Sequence, residues 1–143
     1  MRRSEKLSFG ILCAICVFSI LAYQAFRCHE KNKDFKDPLL IQYGIWDIDG
    51  WSITHIVFFA LLGYLYTKHF VIIMIMGILW ELIEDNVMHI LTKDISFLNC
   101  KKLTTDNVNS KTNNIWWFGR FSDVLMDLFG FGIGYLIRNK IMA

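Results

Sequence analysis

The chain has 143 residues, 55% of them hydrophobic, with a formal charge of +2, one proline and four cysteines. That length suits one domain spanning 1–143, and the near-balanced charge excludes a strongly basic surface for nucleic acid. Apolar residues come in blocks rather than in strict alternation, which points to bilayer-spanning helices and away from a soluble core.

Four spans are predicted, giving an all-α integral membrane protein, a multi-pass bundle of about four transmembrane helices. The first, "LSFGILCAICVFSILAYQAF" (7–26), has the ~20 apolar residues a bilayer needs and no charge. It follows "MRRSEK", but its apolar region is too long for a signal peptide and lacks a clear small-x-small cleavage site. An uncleaved anchor is expected. Cys13 and Cys16 in this span read as small apolar packing residues. The polar loop 27–50 carries Cys28 and Pro38.

The second span, "WSITHIVFFALLGYLYT" (51–67), is uninterrupted except for His55. A short link at Lys68–His69 leads to the third, "FVIIMIMGILWELIEDNVMHIL" (70–91). A polar loop with Cys100 follows, and the fourth span, about 116–137, contains "WWFGRFSDVLMDLFGFGIGYLI". Cys28 and Cys100 fall on the same side and would pair only if that side is oxidising. Lys and Arg fall on both sides, so the orientation stays open, as does the identity of the membrane. Gly130, Gly132 and Gly134 are expected to let helices approach closely, as small residues do in membranes.

The third span raises the question of function. Glu81, Glu84, Asp85 and His89 follow one another as i, i+3, i+4 and i+8, which is one face of a continuous helix. Asp123 and Asp127 share a face of the fourth span. Following the chain direction, His55, the Glu81–His89 group and the Asp123–Asp127 pair all lie toward one end of the bundle. A carboxylate in a hydrocarbon core costs roughly 2.5–3.5 kcal/mol on insertion scales, so these groups must face inward and find partners. Arg120 and two histidines are too few to neutralise them. A divalent cation would do so, and oxygen donors suit Ca²⁺, Mg²⁺ or Mn²⁺ better than zinc. The competing reading ends the span near Trp80 and leaves the charges in water. Residues 70–80 alone, however, are too few to cross.

"THIVFFALLGYLY", "ILWELIEDNVMHIL" and "NNIWWFGRFSDVLMDLFGFGIGYLI" together resemble the core of the base-exchange phosphatidylserine synthases over roughly residues 50–138. The resemblance implies a phosphatidyltransferase of phospholipid biosynthesis that exchanges or transfers head groups. Its substrates would be a phospholipid and a small amino alcohol such as serine, with Ca²⁺ or Mn²⁺ as cofactor. It matches His55, Glu81, Glu84 and Asp123 to the family's functional residues, and His89 to a flanking position; His55 is then expected as catalytic base and Glu81, Glu84 and Asp123 as metal ligands, with Asp85, His89 and Asp127 secondary. The family's acidic residues around the Trp-Trp pair are replaced here by Asn113, Asn114 and Phe118.

The chain also resembles VanZ-like small membrane proteins through Asp123, Asp127, Gly130 and Gly134. That implies a non-enzymatic protein with a structural polar network. A small bacterial membrane family looks similar through Trp-Glu-x-x-Glu. Gly119-x-x-x-Asp123-x-x-x-Asp127 matches only the second half of the CDP-alcohol phosphatidyltransferase motif.

Overall fold

The computed structural model describes residues 2–29, 37–41, 43, 48–88, 90, 95 and 120–142. His89, Cys100, Asn113, Asn114, the Trp116–Trp117 pair and Phe118 lie outside them, as do the side chains of Cys28 and Asp85. The described secondary structure is entirely helical: α1 (Arg3–His29), α2 (Gly50–Leu65), α3 (Phe70–Ile83), α4 (Phe121–Met142) and short 3-10 and π turns. The chain divides into two units. One comprises Met1–Phe35 with His89–Trp116, and the other Lys36–Met88 with Trp117–Ala143.

α1 belongs to the first unit. Glu5 in its first turn accepts from the backbone N–H of Arg2 at 2.7 Å and from the Arg2 guanidinium at 3.1 Å. This places a carboxylate at the helix N-terminus, where the orphan N–H groups favour one. Among the described helices, α1 alone is long and apolar enough to cross a membrane by itself.

The second unit holds the remaining helices. α2 starts at a capping box: Asp49 Oδ1 accepts from the backbone N–H of Ser52 at 3.0 Å, and Ser52 Oγ accepts from the Asp49 N–H at 3.5 Å. The Pro38–Leu40 turn packs on this end. A Cβ at Gly50 would stand 2.6 Å from Leu39 Cα. α2 stops where Tyr66 turns its N–H back to Leu62 O, and the 3-10 turn Thr67–His69 follows. Across that break the axis bends by 108°, and residues 50–65 with 67–83 pass as membrane-crossing only when taken together as a bent pair. At 1.5 Å per residue, α2 (16 residues) is about 24 Å long and α3 (14 residues) about 21 Å, each below the ~30 Å hydrocarbon thickness. α4 is longer, but Asp123, Asp127, Arg138 and Lys140 interrupt its apolar sequence.

Among the described residues, the helix expected over 70–91 changes form after Ile83. α3 ends at Ile83 and a π turn, Glu84–Met88, succeeds it. The carbonyls of Trp80 and Glu81 share the Glu84 N–H, and Asn86 Nδ2 donates to Leu82 O at 2.9 Å. An acceptor that an α-helical N–H would use is thereby occupied by a side chain, which loosens the ladder toward wider turns.

α2 and α4 run parallel, side by side, and α3 leans on α4. The register is an offset of 74 residues: Gly130 faces Ile56, Gly134 faces Ala60, and Arg138 reaches Tyr64. A Cβ at Gly130 would run into Ile56 O, one at Gly134 into Ala60 O, and one at Gly63 into Phe131 O. The two backbones touch, which only glycine permits. Gly132 contributes nothing to this contact, because a Cβ there meets nothing within 4 Å.

The unit buries a polar cluster beside an apolar core of Phe59, Leu62, Tyr66, Ile73 and Phe131, and leaves many large apolar side chains outside. Ser52 and Asp127 are fully buried, and Asp49, Glu81 and Asp123 nearly so, while Val71, Leu82, Phe129 and Leu136 are exposed.

Candidate functional site

The site is built at the end where α2 and α4 begin. Asp49, immediately before α2, accepts the Ser52 N–H through Oδ1 and pairs through Oδ2 with Arg120 Nη1 at 2.9 Å. Arg120 immediately precedes α4, and its backbone N–H donates to Glu81 Oε2 at 2.9 Å. One residue thus ties the starts of two helices to the end of α3. The Ser52 hydroxyl, one turn into α2, donates to Asp123 Oδ1 at 2.9 Å.

One turn deeper, His55 sits between two carboxylates. Its Nδ1 is 2.7 Å from Asp127 Oδ1, and its Nε2 is 3.8 Å from Glu81 Oε1. The first is a short hydrogen bond; the second is too long to be one. An ionised Asp127 can only accept, so Nδ1 then carries a proton, and Nε2 faces Glu81. Asp127 Oδ2 and Glu81 Oε1 are buried and have no hydrogen-bond partner. Buried oxygens of this kind are costly and need an explanation. Gly77 makes room for the arrangement: a Cβ there would stand 2.6 Å from Asp127 Oδ2 and 2.9 Å from Phe59 Cζ.

His55, Glu81 and Asp127 each offer one donor atom, and those atoms lie within 4.8 Å of one another. Glu84 is not among these clustered donors, and Asp123 is engaged by Ser52. The structure therefore brings Asp127, an expected secondary residue, directly against His55. Asp123, an expected ligand, lies one turn nearer the start of the helices. The one-face spacing of Glu81 and Glu84 assumed a continuous α-helix, and the π turn begins at Glu84. Sequence reasoning missed Asp49, Ser52 and Gly77. The first two had a signal: Asp-x-x-Ser directly ahead of an apolar run is a capping pattern.

No family model, curated protein or solved structure matches the chain.

Proposed function

We propose that this chain is a multi-pass membrane protein that exchanges or transfers phospholipid head groups at the His55 site. The observation that carries this reading is an imidazole held by Asp127 at 2.7 Å, with its second nitrogen free of a hydrogen bond to Glu81, inside a helical unit whose outer surface is apolar. An apolar exterior suits lipid as solvent, and buried ionisable groups in such a setting mark functional sites. On this reading α2, α3 and α4 cross the bilayer together, shortened and bent as they are.

His55 Nε2 takes the hydroxyl proton of the incoming amino alcohol as its oxygen attacks the lipid phosphorus. The bond from phosphorus to the original head-group oxygen breaks, and the departing alkoxide recovers the proton from His55. Asp127 holds the ring in the tautomer this requires and stabilises the imidazolium formed between the two transfers. The resemblance assigns a Ca²⁺ or Mn²⁺ ion to Glu81, Glu84 and Asp123. Glu81 Oε1 fits that role as a buried oxygen without a partner, while Asp123 would have to exchange its Ser52 bond for the ion. When bound, such an ion would offset charge developing on the phosphoryl oxygens.

Membranes containing the protein should incorporate radiolabelled serine, ethanolamine or choline into lipid. His55→Ala, matched for expression, should lose ~10²–10⁴-fold of that rate. Incorporation no higher than in empty membranes for all three alcohols would overturn the reading. The alternative is a non-enzymatic, VanZ-like protein, and the chain of bonds from Ser52 and Asp49 through Arg120 to Glu81 favours it, since it ties three helices together. That alternative predicts no incorporation and a destabilised His55→Ala protein.

A further inference from the structure

We infer that the end of the second unit where α2 and α4 finish is a docking surface for anionic phospholipid head groups. The inference rests on the membrane part of the proposed function and is independent of the chemistry at His55. Charge is sorted along this unit. No Asp or Glu occurs in residues 56–80 or 128–142, and that end carries Lys68, His69, Arg138 and Lys140. The carboxylates of Asp49, Glu81, Asp123 and Asp127 lie toward the opposite end, where α2 and α4 begin.

The structure gives these cations different roles. Arg138 Nη1 donates to Tyr64 O at 2.8 Å and to Leu65 O at 3.0 Å, so this guanidinium answers free carbonyls at the end of α2. Lys68, in the turn that follows α2, and Lys140, in the last turn of α4, are exposed. The Arg138 bonds join the ends of the two helices, which brings both lysines to one end of the unit.

Exposed lysines alone fit water as well as lipid. What lies beneath them decides for lipid. Tyr64, four residues before Lys68, is 37% exposed, and Tyr135, five before Lys140, is 43% exposed. Further inward, Leu61 and Val57 are exposed on α2, as are Phe129 and Leu125 on α4. Both helices thus run from lysine to tyrosine to large apolar side chains. That succession matches a membrane interface, where tyrosine sits at head-group level and lysine reaches outward along its apolar stem. Phosphatidylcholine offers a phosphate but adds a cation of its own. An anionic lipid offers the phosphate without that offsetting charge, so it is the better complement to Lys68 and Lys140.

The test uses full-length protein reconstituted in phosphatidylcholine bilayers, with a trace of spin-labelled phosphatidylglycerol or spin-labelled phosphatidylcholine. The motionally restricted fraction of each label measures its association with the protein. Phosphatidylglycerol should be preferred roughly fivefold, the scale of one cation at a membrane surface. Molar salt should remove most of that preference. Lys68→Gln combined with Lys140→Gln should bring the ratio close to one at an unchanged melting temperature, and the paired Lys→Arg variant should retain it. Equal association of the two lipids with the native chain, or an undiminished preference in the glutamine variant, would overturn the inference. So would cross-linking of two copies through this end in place of lipid selectivity. Selectivity without alcohol incorporation would leave this surface standing and remove the enzyme reading. Incorporation without selectivity would do the reverse, and release of the protein from membranes by alkaline carbonate would end both.

Discussion

α2 meets α4 by side chains at its start and by backbone at its end. Over Ser52 and His55 the two helices are joined by hydrogen bonds to Asp123 and Asp127. Beyond Ile56 they touch through Gly63, Gly130 and Gly134, with Arg138 Nη1 closing the far end on Tyr64 O and Leu65 O at 2.8 and 3.0 Å. The glycine half fixes the register rigidly, because nothing larger fits. The polar half depends on that register, since a shift of one residue would separate His55 from Asp127. One half of the interface is a spacer, and the other half is chemistry held at the distance the spacer sets.

The largest effect is expected from breaking the polar half. Asp127→Ala removes the charged acceptor of His55 and leaves a buried imidazole N–H unpaired, a loss of up to about 3 kcal/mol. Unfolding in detergent should show it, and a loss below about 1 kcal/mol would mean that the glycine contact alone holds the pair. The spacer half gives the next effect. Gly134→Ala drives a Cβ into Ala60 O and should cost about 1–3 kcal/mol, as overpacking does. Gly132→Ala meets nothing and should be neutral or gain up to about 1 kcal/mol from helix propensity. Equal melting temperatures for the two alanine variants would contradict the backbone contact. The smallest effect belongs to Arg138→Ala, which removes an exposed cation from the last carbonyls of α2 and should cost below about 1 kcal/mol. A larger loss would show that the end of α2 is held by that side chain rather than by the glycines.

The contrast also explains what the sequence disclosed. Helical content and the ends of α2 followed from apolar blocks and from the polar residues that interrupt them. The meeting of His55 with Glu81 followed from depth along the chain. Which aspartate meets His55 did not follow, because Asp123 and Asp127 share one face and differ by one turn. Their assignment depends on the stagger between α2 and α4, and the 74-residue offset comes from backbone contacts that no spacing rule supplies. The fate of Glu84 was hidden for a similar reason. Helical periodicity assumes an unbroken α-ladder, and the Asn86 side chain replaces one acceptor pairing within it. Asp49 and Ser52 were legible as a cap, but their link to Arg120 and Asp123 spans about half the chain.

The parallel course of α2 and α4 also orients their peptide dipoles. Both N-termini open at the same end, each carrying roughly half a positive charge. Asp49 caps the first, Asp123 lies in the first turn of the second, and Glu81 receives the N–H just ahead of it. Two aligned positive poles therefore offset part of the cost of gathering carboxylates away from water. Had α4 run antiparallel to α2, a negative pole would face the same acids. The direction of the chain supplies an electrostatic counterweight in addition to the Arg120 guanidinium.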